Sequence, residues 1–484
     1  MDSRRLPRII QGGMGVAISG WPLARAVSIR GELGVVSGTI LEVVMARRLQ
    51  LGDPGGDVRR ALDSFPYPEV AARVLDSYFV AGGKNKDRPF KNVRTFTIEP
   101  DRALQELTVA ANFVEVFLAK EGHDGLVGIN YLRKVELPIP FSIYGAILAG
   151  VDFVIVGAGN PREMPELISQ LARHESTRLG LRVQGLTAAD DEIEVYFDPI
   201  ELFGGTPPVV RRPDFLAIVA SVDLAEGLAA LPEPPDGFIV EAPSAGGHNA
   251  PPRGPRRTDD LGQPVYDERD EVDLGRLHDI GLPFWLAGSF GTPAGLAEAQ
   301  GAGAVGIQLG TAFAFCAESG LVPDLKRRIL AQMAEGSVEV RSDWRASPTG
   351  FPFRIVQVDG TLSDEEVYDG RSRVCDLGAL RVPYKTDSGS VGYRCPAEPL
   401  RAYSDVKGGR AANTQGRSCL CNGLLATAGL PQYRVRSDYE EPPIVTAGSD
   451  FRGVRALMEG VEDGMFYSAA DVIDYLSGRR ELVG

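Results

Sequence analysis

Eight short apolar runs recur along the chain, each broken by glycine or by a polar residue. They fall at 8–11, 34–38, 126–130, 152–156, 215–220, 237–241, 283–287 and 304–309. Runs of this length with such breaks predict buried strands. Between most of them the apolar spacing lengthens to that of a helix. Residues 21–29 carry Leu23, Ala24, Ala26 and Val27 at helical intervals, 103–120 is amphipathic, and 161–174 sets Leu167 and Leu171 on one face. Ser221 is placed to cap a helix over 222–230. Thr292 is placed to cap another over 292–301, with Pro293 in its first turn and Gly301 at its end. Alternation of this kind, counted eight times, predicts an α/β fold built as a (β/α)8 TIM barrel.

Two stretches interrupt the pattern. Residues 41–100 hold the turn-forming Gly52-Asp53-Pro54-Gly55-Gly56, and 178–213 hold strand-like alternation at Leu181-Arg182-Val183 and at Glu192 to Phe197 that predicts a hairpin. Beyond about 331 helical periodicity gives way to loops. The expected organisation is therefore a barrel over 1–335, with insertions at about 41–100 and 178–213, and a mixed, loop-rich extension over 336–484. Two short helices close the extension, near 451–459 and 468–476, the second with Ser468 and Asp471 placed for a capping box.

Three loops carry candidate chemistry. The strand Gly237-Phe238-Ile239-Val240 ends in Glu241 and runs into Ala242-Pro243-Ser244-Ala245-Gly246-Gly247-His248. The two glycines permit a tight turn or a close approach to a ligand. His248, one of four histidines, stands at the exit with a side chain able to exchange protons near neutrality. Glu241 either orients the loop or is a structural acid closing its strand, and the structural role is the favoured reading. Two consecutive β/α units then end in Ala287-Gly288-Ser289-Phe290-Gly291 and in Gln308-Leu309-Gly310-Thr311. Backbone N–H groups that converge at strand ends and at a helix start form a phosphate cradle. The third loop, Gln11-Gly12-Gly13-Met14-Gly15, has no bulky side chain except Met14 and can lie flat against a planar ring.

These segments together resemble the nitronate monooxygenase family, once called 2-nitropropane dioxygenases. The residues that carry the resemblance are Gln11 to Gly15, Gly128-Ile129-Asn130, Glu241 to His248, Ala287-Gly288-Ser289 and Gly306 to Thr311. The related FMN-dependent enoyl reductases share the framework. The resemblance implies FMN at the carboxyl ends of the barrel strands, with His248 as the proton-transfer residue. It places flavin contacts on Met14, Asn130, Gly246, Gly247, Gly288, Gln308, Gly310 and Thr311, to which the loop readings add Gly13, Ala287 and Ser289. The implied activity is FMN-dependent oxidation of a nitronate or similar stabilised carbanion with O2. The alternative is an NAD(P)H-dependent reductase of an enoyl thioester, with an acyl carrier protein as possible partner. Pro243 and Ser244 depart from the family pattern, in which the acid often runs straight into Ala-Gly-Gly-His. The long polar loop reaching about Asp273 is a second departure and is expected to cover the site and select a substrate unlike the small nitroalkanes.

A formal net charge of −14 argues against a nucleic-acid partner, because phosphate backbones need a basic surface. No segment reads as a signal peptide or membrane span, so the expectation is a cytoplasmic protein with a small-molecule substrate. Cys316 reads as a buried inert thiol. Cys375, Cys395, Cys419 and Cys421 all lie in the extension, spaced without the paired knuckles of a zinc site. Scattered reduced thiols, with no metal bound, are the expectation there.

Overall fold

A computed structural model describes residues 6–459, 461–462 and 465–479. The eight apolar runs become β1 (Ile9–Gln11), β2 (Gly34–Ser37), β3 (Val127–Leu132), β4 (Phe153–Gly157), β5 (Asp214–Val219), β6 (Gly237–Glu241), β7 (Phe284–Ala287) and β8 (Gly306–Leu309). They form one parallel sheet in the order β1-β8-β7-β6-β5-β4-β3-β2. The sheet curls until its ends meet, because Ile10 bridges Leu33 and the Gln11 N–H donates to the Leu33 carbonyl at 2.9 Å. This is the expected (β/α)8 barrel.

Strand alternation sorts the core into two parts. Ile10, Val35, Phe153, Ile155, Leu216, Ile239 and Trp285 share one apolar cluster, as side chains on the inner face of a barrel do. Trp285 is wholly buried and anchored by its Nε1, which donates to the Pro7 carbonyl at 2.8 Å. The alternate residues, such as Ile9, Val36, Phe238 and Ile307, belong to the larger cluster shared with the helices. At Gly34 the first helix, Trp21–Ile29, comes so close that a Cβ would stand 1.9 Å from the Ala24 carbonyl oxygen. No larger residue fits there.

The local signals hold in detail. Ser221 accepts from the Leu224 N–H at the head of Val222–Ala229, and Thr292 accepts from the Gly295 N–H at the head of Pro293–Gly301. The first insertion folds into the helices Leu41–Gln50, Asp57–Asp63 and Pro68–Tyr78. The second does form a hairpin, but Thr177–Gly180 pairs with Glu194–Phe197, so its first strand lies just before Leu181-Arg182-Val183. Buried Leu179 opposite buried Val195 sets that register.

The extension packs onto the barrel. Ala447, Phe451, Val454 and Leu457 belong to the same buried cluster as Ile9, Ile307 and Phe313. Its closing helices are Arg452–Met458 and Ala469–Leu476, and the latter carries the expected capping box between Ser468 and Asp471. Among the described residues no helix is long and apolar enough to cross a membrane.

Candidate active site

A cavity opens at the carboxyl ends of the strands, where β/α barrels place their chemistry. The structure brings all the candidate residues to it. Gly13 and Met14 follow β1, Asn130 lies in β3, Gly246, Gly247 and His248 follow β6, Ala287, Gly288 and Ser289 end and follow β7, and Gln308, Gly310 and Thr311 end and follow β8. Several are glycine for reasons of space. A Cβ on Gly13 would stand 2.5 Å from Asn130 Cβ, and one on Gly310 would stand 3.1 Å from Met14 Sδ. Gly247 and Gly288 have φ of +81° and +96°, the left-handed region that favours glycine. Asn130 is held by its amide nitrogen, which donates to the Ile155 carbonyl at 3.1 Å, so its oxygen remains for a ligand.

The His248 loop is gripped by the extension. His248 pairs with Phe353 in an antiparallel bridge, and their rings lie 4.9 Å apart edge to face. The Arg354 N–H donates to the Gly247 carbonyl at 3.0 Å, and the Gly247 N–H donates to Thr446 Oγ1 at 2.8 Å. The two unusual residues are gripping points as well. Pro243 offers its carbonyl to the Arg354 guanidinium at 2.7 Å, and the Ser244 carbonyl accepts from the Ser449 N–H at 3.3 Å. Thr311 Oγ1 accepts from the Gly448 N–H at 2.9 Å, leaving its own proton to donate.

His248 Nε2 lies 2.6 Å from Ser347 Oγ, which in turn lies 2.8 Å from Thr349 Oγ1. The ring lines the cavity but sits deep in the protein. Burial, aided by the charge of Lys134, pushes its pKa well below the ordinary 6.5, so His248 is neutral at pH 7. Lys134, two residues past β3, packs its ammonium over the Phe351 ring at 3.4 Å from the centroid. Burial pushes Lys134 down to about 7 against the pull of Glu241, and pushes Glu241 up to about 7 against the pull of Lys134. Glu241 closes β6 and also lines the cavity.

Three features escaped the sequence. Lys134 had one available signal, its position just beyond a barrel strand. Ser347 and the Thr446-Ala447-Gly448 segment had none, since nothing local announces that a distant loop will fold back over a barrel mouth. The polar loop after His248 is a correction. Among the described residues, none of 250–273 lines the cavity, and its cover comes from Phe353, Leu380, Leu420, Leu424 and Val454 of the extension. Gln263 Oε1 instead accepts from the Ser342 N–H at 2.8 Å, and Arg256 stacks on Trp344, so that loop braces the extension.

Residues 214–351 match the family model of nitronate monooxygenase. The match covers β5 to β8 with their loops and agrees with the motif resemblance, and it marks the chain as an oxidoreductase enzyme. No curated protein matches the chain. Among solved structures it is similar to FabK from Thermotoga maritima, at 15% identity and a TM-score of 0.46 over 98% of this chain and 92% of that one. It is also similar to nitroalkane oxidase from Streptomyces ansochromogenes, at 15% and 0.45 over 98% and 95%. A third is the enoyl reductase domain of MlnA, from the macrolactin biosynthesis cluster of Bacillus amyloliquefaciens, at 11% and 0.44 over 98% and 96%.

Proposed function

We propose that the protein is an FMN-dependent oxidoreductase of the nitronate monooxygenase type, oxidising a nitronate or similar stabilised carbanion with O2. The observation that carries this is His248: a neutral imidazole fixed by Ser347 in a cavity ringed by glycine loops. A neutral histidine can take the carbon proton of the neutral nitro compound, whose loss gives the nitronate that is then oxidised.

The residues present fit FMN. A Cβ at Gly13 would collide with Asn130 and one at Gly310 would crowd Met14, so both loops line the cavity without side chains at these positions. The loops after β7 and β8, with Thr311 Oγ1 and the first N–H groups of the helix Thr311–Ala314, would hold the phosphate. Gln308 and Asn130 would meet the ring edge. When bound, FMN accepts electrons from the substrate and passes them on to O2. The protein's own part is to exclude water with the extension, to hold the substrate carbon against the ring, and to exchange its proton with His248. Nε2 of that ring is engaged by Ser347, so Nδ1 is the nitrogen for the exchange.

The alternative, NAD(P)H-dependent reduction of an enoyl thioester presented by an acyl carrier protein, has one observation in its favour. A second cavity adjoins the first and shares the apolar residues Ile40, Val135, Ala379 and Leu380 with it, which leaves room for a longer substrate. The cofactor is tested by releasing it with heat and identifying it by chromatography. FMN at about one per chain is expected; FAD, or no flavin after reconstitution, refutes the reading.

A further inference from the structure

The second cavity is a chamber of about 190 Å³ beside the first. Ile40, Val135, Ala158, Ala379 and Leu380 line both and so mark the junction between them. Two of these hold the left-handed backbone that favours glycine, Ile40 at φ +49° and Ala158 at φ +58°. A β-branched residue is rarely found there. Backbone of this kind persists only where the surrounding fold imposes it, and it gathers at ligand sites. Ile40 is buried at the junction, at the head of the helix Leu41–Gln50.

The chamber wall carries an excess of cations, and most of them are engaged. Arg94 pairs with Asp101 at 2.7 Å, and Arg133 pairs with Glu136 at 2.6 Å and with Glu163 at 2.9 Å. The Arg381 guanidinium donates to the Phe96 carbonyl at 2.8 Å. Lys134 is different. Its ammonium lies over the Phe351 ring, and among the described residues it forms no hydrogen bond and no ion pair. Its lowered pKa is that of a buried ammonium without a counter-charge in contact. Neither acid of the chamber answers it. Glu136 is held by Arg133, and burial pushes Glu42 up to about 7 against its own backbone hydrogen bond. Glu241 lines the first cavity and acts on Lys134 without an ion pair. An aromatic face is a weaker partner for an ammonium than a carboxylate is.

We propose that the second cavity receives the carboxylate end of a medium-chain substrate, and that Lys134 is the residue that selects for it. This rests on the carbanion oxidation proposed above and names the class of substrate. The reacting carbon lies by His248 in the first cavity, the apolar body passes the junction, and the carboxylate meets the Lys134 ammonium. The two ends belong together, because the charge of Lys134 is felt at His248. The volume sets the length. An apolar cavity of ~150 Å³ holds a benzene molecule, so a chamber of this size admits a body of about six carbons.

The first test needs no turnover. Binding of hexanoate and of hexanamide to the full chain as purified is measured by titration calorimetry. Hexanoate should bind at least about ten-fold more tightly, the scale of one hydrogen bond to a charged group. Lys134→Met should abolish that preference, and Lys134→Gln serves in its place where the methionine variant fails to fold. Arg94→Met, which removes a cation already paired, should keep it. Equal binding of the two by the wild type, or a preference that survives loss of the Lys134 charge, would overturn the proposal. The second test uses the nitronates of ω-nitrohexanoate and nitrohexane. The ratio of their kcat/KM values should fall at least about ten-fold in Lys134→Met, a change carried by KM. An unchanged ratio would also overturn the proposal. A hexanoate preference that depends on Lys134, with neither nitronate turned over, would sustain the carboxylate site and refute the oxidation reading instead.

Discussion

Removing the charges of Lys134 and Glu241 should make the protein more stable. Each group is held away from its charged form mainly by burial, Lys134 from 10.5 to about 7 and Glu241 from 4.5 to about 7. At about 1.4 kcal/mol per pKa unit these displacements correspond to roughly 5 and 3 kcal/mol of lost stability when fully developed. Both residues are only partly shielded from solvent, which relieves much of this. Replacement of both groups by Lys134→Met with Glu241→Gln should then gain about 3 kcal/mol, less than half of the undiscounted sum. In a chain of this length that raises Tm by ~3 °C. The pH dependence follows from the signs. The Glu241 pKa is raised, so its stability contribution is intact below 4.5 and lost as pH rises through about 7. The Lys134 pKa is lowered, so its contribution is intact above 10.5 and lost as pH falls through about 7. The two losses coincide near pH 7, where the gain of the double variant must peak and from which it must shrink in both directions. Thermal and urea unfolding of wild type and double variant from pH 5 to 10 measures this. A variant no more stable than wild type at pH 7, or a gain independent of pH, would refute the reasoning.

Further outcomes follow from the same geometry. His248→Ala should retain flavin and lose about 100-fold in turnover, the scale of a general acid–base group, which steady-state kinetics on flavin-loaded protein will measure. Ser347→Ala frees His248 Nε2 from its 2.6 Å bond and should lower kcat by about ten-fold with KM and flavin content unchanged. Protonation of His248 below 6.5 sets the acid limb of the rate profile, and Lys134→Met removes a cation that depresses it; the limb should move to higher pH in the pH–kcat/KM curve. Gly13→Ala drives a methyl into Asn130 and should purify with little flavin, read from absorbance after gel filtration.

The barrel was legible because its parts are local. Each strand is a short apolar run with a polar break, and Ser221, Thr292 and Ser468 announce their helices within three residues of sequence. The glycine loops were legible too, since close approach leaves glycine at the contact, as at Gly13 and Gly310. What the sequence hid is long-range. His248 meets Ser347 across 99 positions and Gly247 meets Thr446 across 199, contacts with no local pattern. The polar loop after His248 misled because its charge and length suggested a lid, whereas the apolar residues that can cover a cavity lie in the extension.

The central claim is that this cavity oxidises a stabilised carbanion through FMN. The direct measurement is to mix flavin-loaded protein anaerobically, in separate experiments, with a nitronate, NADH and NADPH, and to follow the flavin absorbance. The account predicts that the nitronate alone bleaches the flavin and that admitting O2 restores the colour. Rapid bleaching by NADH or NADPH, with none by the nitronate, would contradict it and assign the site to enoyl reduction.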